Sequence, residues 1–429
     1  MRTLRIRSNH SRKWVDLRGR LAFPPLPRFR FRPFPPFTHS PFSPFSLAIL
    51  ICLLFICLVA PACRYSEPPP KPYLAFVTNN SSNTVAVVDL GSVHVVAQIP
   101  VAPKPHELVV RPGSRELYVA SESGALTVIG SPELHVRKTI PLRGSARSLV
   151  FSPDGRSFYV IVTQSGSSEI VFGDGEHGRV PPDDSGVRVG YRAGAGSLVV
   201  TPDGKTLIVT DTTHNQLVFV SAESRKILGA VEVGKGPDAM SVLPNGSKVF
   251  VADTQEEKIS AADVASHQIL SHIEISSKPS ALLLKPDGGE LFVLSAQGIA
   301  TIVDTFHDNV EQTFPTGRGT ADAVMRRDQS VLYLANAGDG SVTCWDVENR
   351  VVLNSTQVGI EPRALALTPD ERFLVVADYA ASSLAVLRAD PRSRDRKGQL
   401  WMDPKRSLLI TTVAVGARPV DVVVPDWQR

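Results

Sequence analysis

Cysteine is nearly missing from this chain. Four occur in 429 residues, and three of them (Cys52, Cys57 and Cys63) lie in or at the end of one apolar run, which leaves Cys344 alone in the remainder. That excludes an intradomain disulfide and a cysteine zinc site. No His-x-x-x-His pair and no His/Asp/Glu cluster has metal-ligand spacing, so neither a metal nor a cofactor is expected. No Gly-x-Ser-x-Gly elbow marks a nucleophile. Charge-rich amphipathic helical runs are few, whereas Val, Gly, Pro, Ser and Thr are plentiful, the mix of short strands joined by tight turns. The basic excess is local. Residues 1–45 hold ten Lys/Arg against Asp16 alone, residues 46–62 are uncharged, and the rest is net −5, which argues against a nucleic-acid partner.

The one long apolar core, Leu47 to Ala60, is 14 residues, short for a membrane span and right for a signal peptide. It sits in Ser46–Ala62, which is the apolar core and cleavage region. Ala60-Pro61-Ala62 then precedes Cys63. Ala at −3 and −1 suits cleavage, and a Cys after a small residue resembles a lipobox, with Ala60 where that motif usually has Leu. The expectation is an exported lipoprotein acylated at Cys63, periplasmic or tethered to the outer membrane. Plain secretion and an uncleaved anchor are the alternatives. Residues 63–72 are a Pro-rich tether. Residues 1–45, rich in Arg, Pro and Phe, read as a disordered leader or a start assigned too far upstream.

Beyond residue 72 a turn signature recurs. Prolines 112, 153, 202, 244, 286 and 369 share a register, with Arg327 in that place in one copy. Their successive spacings are 41, 49, 42, 42, 41 and 42. Pro-Asp-Gly is a hairpin turn with a mechanism: Pro sets φ, Asp bonds the local backbone, and Gly accepts positive φ. A strand precedes each turn (Ala281–Leu284), another follows it (Lys248–Ala252), then an alternating strand ending in Asp (Val85–Asp89), then a fourth (Val95–Val101). Each unit is a four-stranded antiparallel meander, and a fixed period of this kind marks a propeller. We call these strands A to D, with A before the turn. B strands begin near 73, 116, 157, 206, 248, 290, 331 and 373, so eight blades are expected, seven being the alternative. The chain enters on B and leaves on A (Pro419–Val424), which predicts a 1+3 closure of the ring. The propeller is expected over 73–425, with 426–429 as a tail.

These units resemble the YVTN family of β-propeller repeats, on residues such as Phe76-Val77-Thr78-Asn79 and Val231-Glu232-Val233-Gly234 and on the recurrence in register over 73–425. The resemblance implies an exported bacterial propeller acting as a binding or scaffold protein at the cell envelope. The expected partner is an envelope protein or polysaccharide, with the membrane reached through a lipid anchor, and the chain is expected to be monomeric. The alternative is a channel-site enzyme, either a lactonase-like hydrolase or a cofactor-bearing oxidoreductase subunit. Eight-bladed haem-d-type nitrite reductases use channel histidines, and here only His106 falls on the channel register. Similar propellers with lactonase activity use channel His, Arg and Glu.

Function in propellers lies on loops and at the channel. The residues expected at the channel rim are His106, Arg147, Asp238, Asp322 and Arg363, each placed just after the Pro of strand A or its equivalent, with Glu107 and Asp421 one step on. Gly196, Ser280 and Val420 fill the remaining places. His94, His135, His267 and His272 are expected on or beside outer D strands, exposed. Cys344 is expected as a buried small hydrophobe. Two C–D loops are enlarged. One is acidic (Asp174, Glu176, Asp183, Asp184), a possible calcium loop whose order matches no standard one. The other, 388–407, is basic and carries Trp401, a candidate partner anchor.

Overall fold

The turns are where sequence dictates backbone most directly. In the computed structural model, which describes residues 73–181, 186–191, 194–390, 392–394, 400–402 and 408–427, every A–B turn has one φ-positive residue, two before strand B in all but the first turn, where Gly113 comes three before it. Gly113, Gly155, Gly204, Gly246 and Gly288 hold φ of 68–79° there, and Gln329 and Glu371 hold 59° and 54° in the two units lacking Gly. The Asp of the motif accepts a backbone N–H two residues on: Asp154 from Arg156, Asp203 from Lys205, Asp370 from Arg372. The preceding Ser152, Thr201 or Thr368 hydroxyl donates to the same carboxylate and accepts an N–H from the next strand. The Asp that ends strand C does similar work at the C–D turn: Asp89, Asp263, Asp304 and Asp346 each accept backbone N–H groups of the turn that follows. Both motif positions are thus local backbone caps.

The strands assemble into eight four-stranded antiparallel sheets. Seven are built from consecutive A–B–C–D strands, beginning with Pro105–Val110, Ser145–Phe151, Ala195–Val200, Pro237–Val242, Pro279–Leu284, Thr320–Met325 and Pro362–Leu367. The eighth sheet joins Pro419–Val423, the last strand, to Leu74–Asn79, Thr84–Asp89 and His94–Pro100, so the 1+3 closure is as expected. We number the blades from this one as blade 1. No helix occurs among the described residues. An added short hairpin, Arg392–Arg394 with Leu400–Met402, grows from the C–D connection of blade 8. All these strands belong to the unit Glu67–Arg429; Met1–Ser66 is a separate unit outside the described residues, so the export run and Cys63 are not described.

Period-2 alternation acquires a specific meaning in this ring. B and C strands are buried on both faces. Alternate residues of one strand enter two different cores: Phe76 packs toward blade 2, while Ala75 and Val77 pack toward blade 8. Eight apolar clusters result, each shared by two successive blades, and the eighth, between blades 8 and 1, closes the circle. An aromatic recurs at the third B position (Phe76, Tyr118, Tyr159, Phe250, Phe292, Tyr333), and each is buried. Trp345 and Phe314 stack at 4.1 Å between blades 7 and 6. Cys344 is buried as expected, and burial pushes its thiol up to about 12.

Outer D strands alternate exposed and half-buried residues. All eight carry a register shift near their start, at Val96, Arg137, Val189, Leu228, Leu270, Glu311, Leu353 and Ile410. A bulge on the exposed edge spoils the template for a further strand. His94, His135 and His272 lie on these strands and are exposed; His267 is half-buried on Phe219, 4.6 Å between ring centres. Trp427 packs edge-on to Phe76 at 5.2 Å, and its carbonyl accepts from Arg115 of blade 2.

Candidate functional site at the channel mouth

Strand A of each blade lines the central channel, and its first residues form the mouth. An innermost strand has one edge with no further strand to pair, so its N–H and C=O groups need other partners. Three blades solve this with a carboxylate from the preceding blade. Asp421 of blade 1 accepts from the Leu108 N–H of blade 2 at 2.8 Å. Glu107 of blade 2 accepts from the Leu149 N–H of blade 3 at 2.9 Å. Asp322 of blade 7 accepts from the Leu365 N–H of blade 8 at 2.8 Å. The second oxygens of Asp322 and Asp421 accept the next N–H of their own strands.

These carboxylates are partly accessible from the channel yet enclosed by protein, which penalises their charged forms. Burial, with repulsion from Asp421, raises Glu107 to about 8. Burial raises Asp322 and Asp421 to about 6 against the counter-pull of their N–H donors, and Asp421 adds repulsion at Asp322. At neutral pH Glu107 is therefore mostly a neutral acid.

The register at the mouth differs from the expected one in blade 7. Thr320 pairs with Asn336 as Pro105 pairs with Ser121, so Ala321 is the counterpart of His106, and Asp322 is the counterpart of Glu107. The signal was present in the spacing: Ala321 lies six residues before Arg327, as His106 lies six before Pro112. Asp322, Asp421 and Glu107 therefore share one level, a step deeper than His106, Arg147, Asp238 and Arg363.

The outer set does not gather around one point. The His106 Nε2–H donates to the Arg147 carbonyl at 3.0 Å, and burial lowers the imidazole pKa, so the ring is neutral with Nδ1 buried and unpartnered. The Arg147 side chain is exposed. Asp238 accepts from the Ser197 hydroxyl of blade 4 at 3.0 Å; a Cβ at Gly196 beside it would lie 2.9 Å from Thr210 Oγ1 and 3.0 Å from Asp238 Oδ1, so those side chains would have to shift. Ser280 donates to backbone carbonyls of Leu294 and Thr320. Arg363 is held in blade 8 by Glu361 and lies 3.8 Å over the Tyr379 ring.

Sequence reading missed a second polar group, inside blade 5. Asp253 is fully buried; the Ser260 hydroxyl donates to its Oδ2 at 2.7 Å, and Ser260 Oγ lies 2.9 Å from His272 Nδ1. Burial raises Asp253 to about 7, with Glu256 adding to it. The enlarged loop of blade 3 spends its acids locally: Asp174 on His177 and Arg179, Glu176 on Arg156. Asp183 and Asp184 lie outside the described residues, as does the Trp401 side chain. Among the described residues no group of His, Cys, Asp or Glu is arranged to hold a metal ion.

A family model described as lactonase, 7-bladed β-propeller, matches residues 273–398, from the end of blade 5 through most of blade 8. Of the mouth residues named above, Ser280, Ala321, Asp322 and Arg363 fall within it. Among solved structures, the dihydro-heme d1 dehydrogenase NirN in complex with DHE has a TM-score of 0.66 at 15% identity, covering 84% of this chain and 76% of that one. A functionally unknown protein from Desulfotomaculum acetoxidans DSM 771 has a TM-score of 0.54 at 11% identity, covering 66% of this chain and 95% of its own. No curated protein matches the chain in sequence. At such identities the likeness is one of fold, and with eight sheets and eight shared cores the chain is an eight-bladed β-propeller.

Proposed function

We propose that this chain is an exported propeller of the YVTN-repeat type, anchored through Cys63, that binds an envelope protein or polysaccharide at its channel-mouth face without chemistry in the channel. The observation that carries this reading is the use made of the mouth carboxylates. Glu107, Asp322 and Asp421 each bond a backbone N–H of the next blade, a knitting role that takes up both oxygens of Asp322 and Asp421. A catalytic set needs acid, base and electrophile converging within a few Å. Arg363 is instead committed to Glu361 and Tyr379, and His106 to the Arg147 carbonyl.

The second reading is a lactonase-like hydrolase, favoured by the match over residues 273–398. The two separate in one assay. Hydrolysis of γ- and δ-lactones by the full chain, followed by proton release with and without added divalent metal, is expected to equal the buffer rate. Turnover that Glu107→Gln or His106→Ala abolishes would overturn the binding reading.

A further inference from the structure

On the channel-mouth face, each loop entering strand A tends to carry one cation, and each B–C loop lies beside it. In blades 2, 5 and 7 the pair is self-neutralising: Lys104 with Glu122 at 3.9 Å, Lys235 with Glu256 at 3.9 Å, Arg318 with Asp339 at 2.8 Å. Blade 3 breaks the pattern. Its entry strand and loop hold Arg143 and Arg147, both exposed, but its B–C loop is Gln164-Ser165-Gly166, without an acid. Among the described residues neither arginine has an ion-pair or hydrogen-bond partner for its side chain. At the seam of blades 8 and 1, Arg363 and Arg418 lie 3.8 and 5.6 Å from the Tyr379 ring centre; Glu361 pairs with Arg363, and Asp378 is buried under the Ile360 and Glu361 N–H groups.

The mouth is therefore lopsided. Over blades 8, 1, 2 and 3, the described loops and outermost strand-A level hold five cations (Arg363, Arg418, Lys104, Arg143, Arg147) against Glu361 and Glu122, with Glu107 and Asp421 one level deeper and bonded to backbone N–H groups. Over blades 4 to 7 the same positions hold three cations against four acids, Asp238, Glu256, Glu257 and Asp339. This positive arc sits on a chain whose portion beyond the export run is net negative. It also lacks an apolar centre. Of the large exposed hydrophobics among the described residues, only Ile360 is on this face, whereas Phe306 is on a C–D turn of the opposite face and the others are on outer strands. Protein interfaces concentrate apolar and aromatic side chains at their core. An arc of guanidinium groups around a mouth, with one aromatic ring and no apolar core, suits a flexible chain of carboxylates or similar anions, which Arg recognises through paired N–H donors.

We propose that this arc is the docking surface for an anionic polysaccharide, running along the rim from the blade 8–1 seam to blade 3. The inference rests on the binding reading above and names its partner class. The test is calorimetric titration of the full chain with oligogalacturonate at low ionic strength, with neutral maltooligosaccharide alongside. Oligogalacturonate is expected to bind and to weaken steeply with added salt, and the neutral oligomer to stay silent. The double variants Arg143→Ala/Arg147→Ala and Arg363→Ala/Arg418→Ala should each lose roughly tenfold in affinity, while Lys205→Ala, on the opposite face, loses none. Arg363→Lys/Arg418→Lys keeps the charge and guards against a change in folding at Tyr379. Absence of binding, equal binding of the neutral oligomer, or double variants that bind like the parent would overturn the inference. None of these outcomes bears on lactone turnover, which alone decides against the binding reading.

Discussion

The full chain is expected to melt at a lower temperature at pH 8 than at pH 5. Four enclosed carboxyls hold pKa values above their ordinary ones: Asp253 about 7, Glu107 about 8, Asp322 and Asp421 about 6. A carboxyl whose folded pKa is raised binds its proton more tightly in the native state. Its contribution is complete below the unfolded value near 4 and is lost as pH rises through the folded value. The loss therefore falls between about pH 4 and pH 8. Asp253 is the cleanest case, being fully buried, with Oδ1 unpartnered. A move from an ordinary value to about 7 corresponds to at most about 4 kcal/mol, enough to lower the melting temperature on the order of 5 °C in a chain this long. Surface caps act oppositely: Asp154, Asp203, Asp263 and Asp304 are held low by the hydroxyl, N–H or His groups they bond, so their contribution fades only in stronger acid. The two trends put the optimum near pH 5. Asp253→Asn removes the buried charge and should raise the melting temperature at pH 8 with little change at pH 5. A flat profile from pH 5 to 8, or a variant equally shifted at both, would contradict the assignment.

Cutting the chain after Val415 is expected to abolish the cooperative unfolding transition. The lost segment supplies the inner strand of blade 1, whose residues Val423, Val422 and Asp421 pair with Phe76, Val77 and Thr78. It also supplies the Arg418 and Ala417 carbonyls that accept from Asn80 and Ser81, the Asp421 carboxylate under Leu108, and Trp427 against Phe76. Without it, blade 1 presents a bare inner edge, and the clusters on both sides of that blade lose Val422 and the packing of Val423 and Trp427. A ring differs from an open repeat array in this respect, because the last interface holds the first and last units together. Trp427→Ala alone should cost roughly 2–3 kcal/mol, less than the roughly 3–5 for a wholly buried ring because Trp427 is only half-buried. Circular dichroism melts check both variants. A truncated chain that unfolds as sharply as the full one would mean that closure contributes little.

Most of this architecture was legible in the repeats. The Pro-Asp-Gly turns and the Asp at the end of strand C are local backbone caps, so each unit announces its own turns, and the period then gives the blade count. Eight rather than seven followed from the eight B-strand starts, and the closing strand from the chain leaving on A. The site was less legible. Asp322 was assigned to the wrong level because blade 7 has Thr320 where five other blades have Pro, and a one-residue shift in a strand exchanges one environment for another. Convergence of side chains around a channel depends on which blade they come from and which partner they choose. No spacing could reveal that Arg363 turns to Tyr379, or that Glu107 reaches the backbone of blade 3. Asp253 was invisible because the Ser260 and His272 that complete its network sit on neighbouring strands, at 7 and 19 residues' distance. The packing of Trp427 was hidden for a related reason: its partner, Phe76, lies at the other end of the propeller sequence.

The role of the mouth carboxylates is tested most directly by the thermal melt of Glu107→Gln beside Glu107→Ala at pH 8. If Glu107 knits blade 2 to blade 3, the amide oxygen still accepts the Leu149 N–H, so the Gln variant melts at or above the parent temperature. The Ala variant then melts lower, by the equivalent of about 1–2 kcal/mol for an unsatisfied N–H. Equal melts for all three chains would contradict the account, because the carboxylate would then hold nothing together and its enclosure in the channel would need another purpose.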